Sequence, residues 1–276
     1  MSGPPATVLE RILAQTRSEV ERRKRELPLD AASLAGAPAS TGGHRFRDAL
    51  AGEGIGVIAE FKRRSPSAGA LRERPQLAEI VSAYQRGGAV AVSVLTEGPN
   101  FEGALDDLAG ARAACGLPLL RKDFIVDVYQ LQEAVIAGAD AVLLIVAALE
   151  ASELASLHAA AQEFGLDVLV EVHDRDELAT ALGLGAEIVG VNNRDLRDFS
   201  VDVARTEALM DDVPGGVIVV SESGIARAEQ LWRLRERGVQ AVLVGESLMR
   251  SADPAAALTA LTAERVGTER RPDMTP

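Results

Sequence analysis

The feature that most constrains the fold of this chain is an alternation that begins at Gly56. Short apolar, β-branched runs take turns with longer stretches in which apolar residues recur every three or four positions. The runs cover 56–61, 89–95, 119–122, 141–146, 168–172, 188–192, 217–221 and 241–244, eight in all. Helical spacing marks 76–86, 128–137, 153–164, 177–184, 227–237 and 255–264. Asp127 with Gln130, and Asp174 with Glu177, carry the pattern of a helix start, where the first side chain accepts from an otherwise orphan backbone N–H. Runs that are apolar almost throughout belong to parallel strands covered on both faces by helices. Eight βα units in about 210 residues predict an α/β chain folded as a single (β/α)8 TIM barrel. At 276 residues and 47% hydrophobic content, the chain can bury a core of that size.

Ahead of the barrel, 7–27 has apolar positions at Val8, Leu9, Ile12, Leu13 and Val20 in a charged background, which predicts an amphipathic surface helix. Residues 31–43 read as a linker, so 1–48 form an N-terminal helical extension, 49–266 the catalytic barrel, and 267–276 a disordered tail. Net charge of −12 and a pI near 4.8 argue against nucleic acid or an anionic membrane as partner, and the run Arg22 to Arg25 reads as a solvated helix end. The lone Cys115 allows no intramolecular disulfide, and His44, His158 and His173 are too scattered to suggest a metal site. The longest apolar run, 141–149, is too short to span a bilayer and no apolar signal core opens the sequence, so a cytoplasmic location is expected. Gly52, Gly54 and Gly56 have G-x-G spacing but precede a strand, which fails the test for a dinucleotide site.

In such barrels chemistry sits at the C-terminal ends of the strands. Those ends carry Glu60, Lys62 and Ser65; Thr96 and Glu97; Lys122 and Asp123; Val146; Glu171; Asn192 and Arg194; Glu222 and Ser223; then Gly245, Glu246 and Ser247. Glu97, an isolated glutamate after a strand, is expected to be solvated. The chain has only three lysines, Lys24, Lys62 and Lys122, against 26 arginines. Arginine serves as a surface cation, whereas the compact lysine ammonium can give up its proton, so Lys62 and Lys122 are nominated for chemistry. The small residues of 222–224 and 245–247, after the last two strands, occupy the usual phosphate location and predict a small phosphorylated substrate.

Six blocks then resemble one family: 58–67 (IAEFKRRSPS), 93–97 (SVLTE), 120–127 (LRKDFIVD), 191–196 (VNNRDL), 221–225 (SESGI) and 244–249 (VGESLM). In this order they are similar to indole-3-glycerol-phosphate synthase, over about residues 8–261. The resemblance implies a lyase of tryptophan biosynthesis, without cofactor or metal, that closes 1-(2-carboxyphenylamino)-1-deoxyribulose 5-phosphate into an indole with loss of carbon dioxide and water. It further implies that Lys62 and Lys122 share general-acid and electrostatic work, with the division between them open, that Glu171 is the best-placed candidate base for dehydration, and that Glu60 orients Lys62 or relays a proton. Asn192 and Ser223 would hold hydroxyls or the carbonyl oxygen, Arg194 the anthranilate carboxylate, and Phe124 the aromatic ring. Ser65, Gly224, Gly245 and Ser247 would complete phosphate and substrate binding, with Glu222 and Glu246 in support. Phe61 and the loop 97–103 depart from the usual pattern. The competing readings are a Schiff-base aldolase and a non-catalytic sugar-phosphate-binding paralogue, and the expected assembly is a monomer or weak homodimer.

Overall fold

The computed structural model describes residues 7–29, 43–66, 68–195 and 200–263. Helix α1 (Val8–Glu26) opens with a capping box, in which Thr7 Oγ1 accepts from Glu10 N at 3.2 Å and the Glu10 carboxylate accepts from Thr7 N at 2.7 Å. Helix α2 (Arg45–Leu50) leads into β1 (Gly56–Phe61), a two-stranded hairpin (Arg64–Ser65 with Gly69–Ala70) and α3 (Leu77–Arg86). There follow β2 (Ala91–Leu95), α4 (Leu105–Ala114), β3 (Leu119–Lys122), α5 (Val128–Ile136), β4 (Ala141–Ile145) and α6 (Ala151–Glu163). The second half runs β5 (Asp167–Val172), α7 (Arg175–Gly183), β6 (Ile188–Asn192), α8 (Ala204–Leu209), β7 (Ile218–Glu222), α9 (Ala228–Glu236), β8 (Ala241–Val244), α10 (Glu246–Arg250) and α11 (Pro254–Thr262). Each strand pairs in parallel with the next, and β1 pairs with β8 from Gly56↔Ala241 to Ala59↔Val244, which closes the (β/α)8 barrel.

Alternation along the strands divides the apolar residues into two clusters. Ile58, Ala91, Leu120, Leu143, Leu169, Ile188, Val220 and Leu243 share one with Phe46 and Leu50 of α2 and Ile12 of α1, and fill the barrel interior. Val57, Val92, Val142, Val170, Val189, Val219 and Val242 face the helices in the other. The N-terminal end of the interior is plugged by α2, whose first turn is held by Asp167: its Oδ2 accepts from Phe46 N at 3.1 Å and Arg47 N at 3.0 Å. That helix straddles the boundary expected between residues 48 and 49.

All eight expected strands are present, four with the expected bounds and four with ends moved by one or two residues. Asp174 caps α7 as predicted, accepting from Glu177 N at 3.0 Å. At Asp127 the cap is made to Tyr129 N, at 2.8 Å, while the Gln130 side chain turns back to accept from Val126 N. The Arg22 to Arg25 run is not simply solvated. Arg22 pairs with Glu19 and Glu26, but Arg23 reaches Glu133 at 2.8 Å and Lys24 reaches Asp127 at 2.7 Å, so the end of α1 is docked on α5. Glu133 in turn meets Arg121, an outward-facing residue of β3 that is only 2% exposed. Arg121 also donates to the Gln130 carbonyl (2.6 Å), Asp123 Oδ2 (3.0 Å) and Thr96 Oγ1 (3.2 Å), so its buried charge is fully partnered. The linker from residue 31 to 42 and the tail 267–276 lie outside the described residues. Among the described residues, no helix is long and apolar enough to cross a membrane.

Candidate active site

The parity that fills the barrel with Ile58, Leu120, Leu169 and Val220 places Glu60, Lys122, Glu171 and Glu222, two positions further on, on the same inner face. Asn192 follows Gly190 in the same way and Lys62 follows Glu60. They meet at the C-terminal mouth in one cavity of about 470 Å³. Every residue nominated above lines it: Glu60, Lys62, Lys122, Glu171, Asn192 and Ser223, together with Ser65, Phe124, Arg194, Glu222, Gly224, Gly245, Glu246 and Ser247. Leu143, Ile145, Leu243, Phe101 and Arg250 are among the further residues of the wall and were not nominated. Strand parity would have found the first three. Val146, taken as the end of the fourth strand, starts a 3₁₀ turn instead, and the inward residue there is Ile145.

The polar groups form a connected cluster. Lys122 Nζ lies 3.0 Å from Glu171 Oε2 and 3.3 Å from Glu222 Oε2, and Lys62 Nζ lies 2.5 Å from Glu60 Oε1. Asn192 Nδ2 donates to Glu171 Oε1 at 3.1 Å, while Asn192 Oδ1 accepts from Ser223 Oγ and from Arg194 N, both at 3.0 Å. Ser223 has φ of +68° and Gly224 of +81°; a non-glycine residue in the left-handed region stores strain of about 1 kcal/mol or more, and here it turns the Ser223 hydroxyl onto Asn192.

Burial by itself would lower the pKa of Lys122, but Glu171, Glu222 and Glu60 together outweigh it and hold the ammonium above its ordinary value. Burial would raise Glu171, and Lys122, His173 and Asn192 reverse that, leaving it ionised and below the usual carboxylate range. Glu222 goes the other way: burial, with Glu171 and Glu60 nearby, outweighs Lys122 and pushes it up to about 7. Its Oε1 is buried without a hydrogen-bond partner. One site therefore holds a fixed ammonium, a fixed carboxylate and a carboxyl that exchanges a proton near neutrality. Glu222 had been assigned a supporting role; its burial places it inside the cluster.

Gly190 permits this packing, because a Cβ there would lie 2.2 Å from Glu222 Oε1. Gly190→Ala is expected to push the Glu222 carboxylate off Lys122, lowering kcat at least tenfold in a protein whose circular dichroism is unchanged. Parent-level turnover in that variant would show that the Glu222 position is not needed.

One further expectation is corrected. Glu97 is not solvated: it is 5% exposed, and it accepts from Asn100 N (2.8 Å), Asn100 Nδ2 (2.7 Å) and Phe101 N (3.0 Å), fixing the departing loop. That loop carries Phe101, whose ring lies 6.4 Å from Phe124 at 39° and walls one side of the cavity. Phe61 instead faces the helix layer, beneath the Arg63 guanidinium at 5.0 Å, and does not line the cavity. Thr96 and Asp123 turn their polar atoms outward to Arg121.

A closed (β/α)8 barrel with buried lysines and carboxylates gathered at its C-terminal mouth defines an enzyme of the barrel class. The family model of indole-3-glycerol phosphate synthase matches residues 9–261. A relative from Streptomyces coelicolor, indole-3-glycerol phosphate synthase 2, is 48% identical over 261 residues, covering 95% of this chain and 99% of that one. Indole-3-glycerol phosphate synthase from Rhizorhabdus wittichii is 50% identical over 245 residues, 87% of this chain and 92% of its own. Among solved structures, thiamine phosphate pyrophosphorylase from Pyrococcus furiosus superposes with a TM-score of 0.58 at 17% identity over 78% of this chain and 95% of that one, a likeness of fold. The chain belongs to the indole-3-glycerol phosphate synthase family.

Proposed function

We propose that this chain converts 1-(2-carboxyphenylamino)-1-deoxyribulose 5-phosphate to indole-3-glycerol phosphate, with Lys122 as the group that meets the substrate ketone. The observation that carries the reading is the Lys122 ammonium held between Glu171 and Glu222 on the cavity floor. In the first step the aromatic carbon bearing the carboxylate attacks the ketone, and negative charge gathers on its oxygen. An ammonium with a raised pKa still protonates an alkoxide, which is the stronger base, and stabilises it beforehand by charge. Glu222, 3.3 Å away with a pKa near 7, can return the proton to Lys122. Loss of carbon dioxide then restores the aromatic ring. For dehydration Glu171 takes the proton from the carbon beside the hydroxyl-bearing one, and Lys62, held by Glu60, donates to the departing hydroxyl.

The cavity wall offers groups for both ends of the substrate. Phe124 and Phe101 offer faces to the anthranilate ring, with Arg194 for its carboxylate. Ser65, Ser223, Gly224, Gly245, Glu246 and Ser247 also line the cavity, and would receive the phosphate and the ribulose hydroxyls. The raised pKa of Lys122 disfavours the aldolase reading, since a Schiff-base lysine must lose its proton to attack a carbonyl. The acidic surface, a cytoplasmic setting and a monomer or weak homodimer complete the proposal.

The test is to mix protein and the carboxyphenylamino sugar phosphate without added metal or cofactor and follow indole fluorescence. Rapid appearance of indole-3-glycerol phosphate is expected. A folded protein that gives no signal, but is trapped by borohydride on a ketose phosphate, would replace the proposal with the aldolase. Glu171→Gln is expected to reduce kcat by about 10²–10⁴ if Glu171 is the base, and a rate near the parent's would remove it from that role.

A further inference from the structure

His173 lies two residues beyond Glu171 on the same strand path, just past the end of β5, and it is not among the residues lining the cavity. Glu177, in the first turn of α7, clamps it twice: Glu177 Oε2 accepts from His173 N at 2.7 Å and lies 3.0 Å from Nδ1. The clamp turns Nε2 toward the site. That atom is buried, has no hydrogen-bond partner, and stands 3.5 Å from Glu171 Oε1, the oxygen that already accepts from Asn192. A neutral imidazole has one N–H. With that proton on Nδ1 for Glu177, Nε2 would turn a lone pair on a carboxylate oxygen, and with it on Nε2 the lone pair would face Glu177; only the doubly protonated ring makes both contacts attractive.

We infer that His173, clamped by Glu177, is a positioning residue for Glu171, its imidazolium fixing the ionised carboxylate at the angle needed to take a proton from substrate. The inference rests on the reading of Glu171 as the base. The charged groups facing the ring are Glu171 on its own strand, Glu177 from α7 and Glu222 from β7. Burial opposes the imidazolium, but these carboxylates outweigh it and keep its pKa above the ordinary histidine value. The sign follows: the imidazolium is present below its raised pKa and lost as pH rises through it, and Glu171, lowered in part by His173, is ionised above its own depressed pKa.

The test compares pH profiles of kcat/KM for the parent and His173→Gln, and follows the His173 ring by NMR titration in the parent, Glu171→Gln and Glu177→Gln. Without the cation, Glu171 ionises at higher pH, so the acid limb of His173→Gln is expected to move up by about one unit, with activity recovering toward the parent as pH rises. In Glu171→Gln and in Glu177→Gln the ring is expected to titrate at lower pH than in the parent. Superimposable profiles, or a loss equal at every pH, would overturn the inference, as would a ring midpoint that stays in place in Glu171→Gln. Should Glu171→Gln keep its turnover, the assignment of the base fails while the ring titration still decides whether the pair exists.

Discussion

Replacing Lys122 with arginine is expected to give a barrel that melts with the parent and turns over about 10²–10⁴ times more slowly. The positive charge survives, so Glu171, Glu222 and Glu60 keep a counter-ion and the core has no reason to loosen. What disappears is the transferable proton and the compact ammonium that fits within 3.0 Å of Glu171 and 3.3 Å of Glu222. Steady-state indole formation at saturating substrate measures the loss, and a thermal melt of the same sample checks the fold. Activity within threefold of the parent would mean that Lys122 acts as a charge alone and that the proton comes from elsewhere, with Lys62 next to be examined. Lys122→Met is the poorer experiment, because it strands three carboxylates and mixes lost chemistry with lost stability.

Arg121→Met is expected to act on stability instead. Arg121 is 2% exposed and is the common partner of Asp123, Glu133, Thr96 and the Gln130 carbonyl. Deleting one member of a buried charge network costs about 3–5 kcal/mol, since the carboxylates left behind are still out of water. For a chain of this size that corresponds to a melting point lower by about 10 °C. Arg23 softens the blow, since it also holds Glu133, so the double variant Arg23→Met with Arg121→Met should fall by more than the sum of the two. A melting point within two degrees of the parent would show that water or local rearrangement solvates Asp123 and Glu133.

The strands were legible because a parallel sheet buried on both faces writes itself as nearly unbroken apolar runs. Lys62 and Lys122 stood out because the chain uses arginine for nearly every other cation. The short helices were not legible: α2, α8 and α10 have six, six and five residues, fewer than two full turns, so no three-and-four spacing accumulates. Helix α4 is long enough, but its Ala-rich sequence carries only a faint stripe. At the site, identity was readable and depth was not. Glu222 and Glu246 look alike in sequence, each a glutamate after a late strand, yet one is 1% exposed against Lys122 and the other pairs with Arg250 at the rim. His173 was weighed only as a metal ligand, although its i, i+2 spacing from Glu171 already placed the two on one face. Arg121 reads as a basic neighbour of Lys122, and strand alternation alone says that they point opposite ways.

The seam between β1 and β8 also sets an order of events during synthesis. Its four residue pairs join the first barrel strand to the last, so the ladder cannot form until Val244 has left the ribosome. Until then the nascent chain carries two unpaired edges, the kind of surface on which chains misassemble. Residues that line the cavity straddle that seam. Glu60 and Lys62 lie on one side and Gly245 on the other, so close that a methyl group on Gly245 would come within 2.5 Å of Glu60. Half-built barrels can already hold their helices and much of their apolar contact, but they have no pocket. Turnover in a crude extract therefore counts only the chains whose seam has shut.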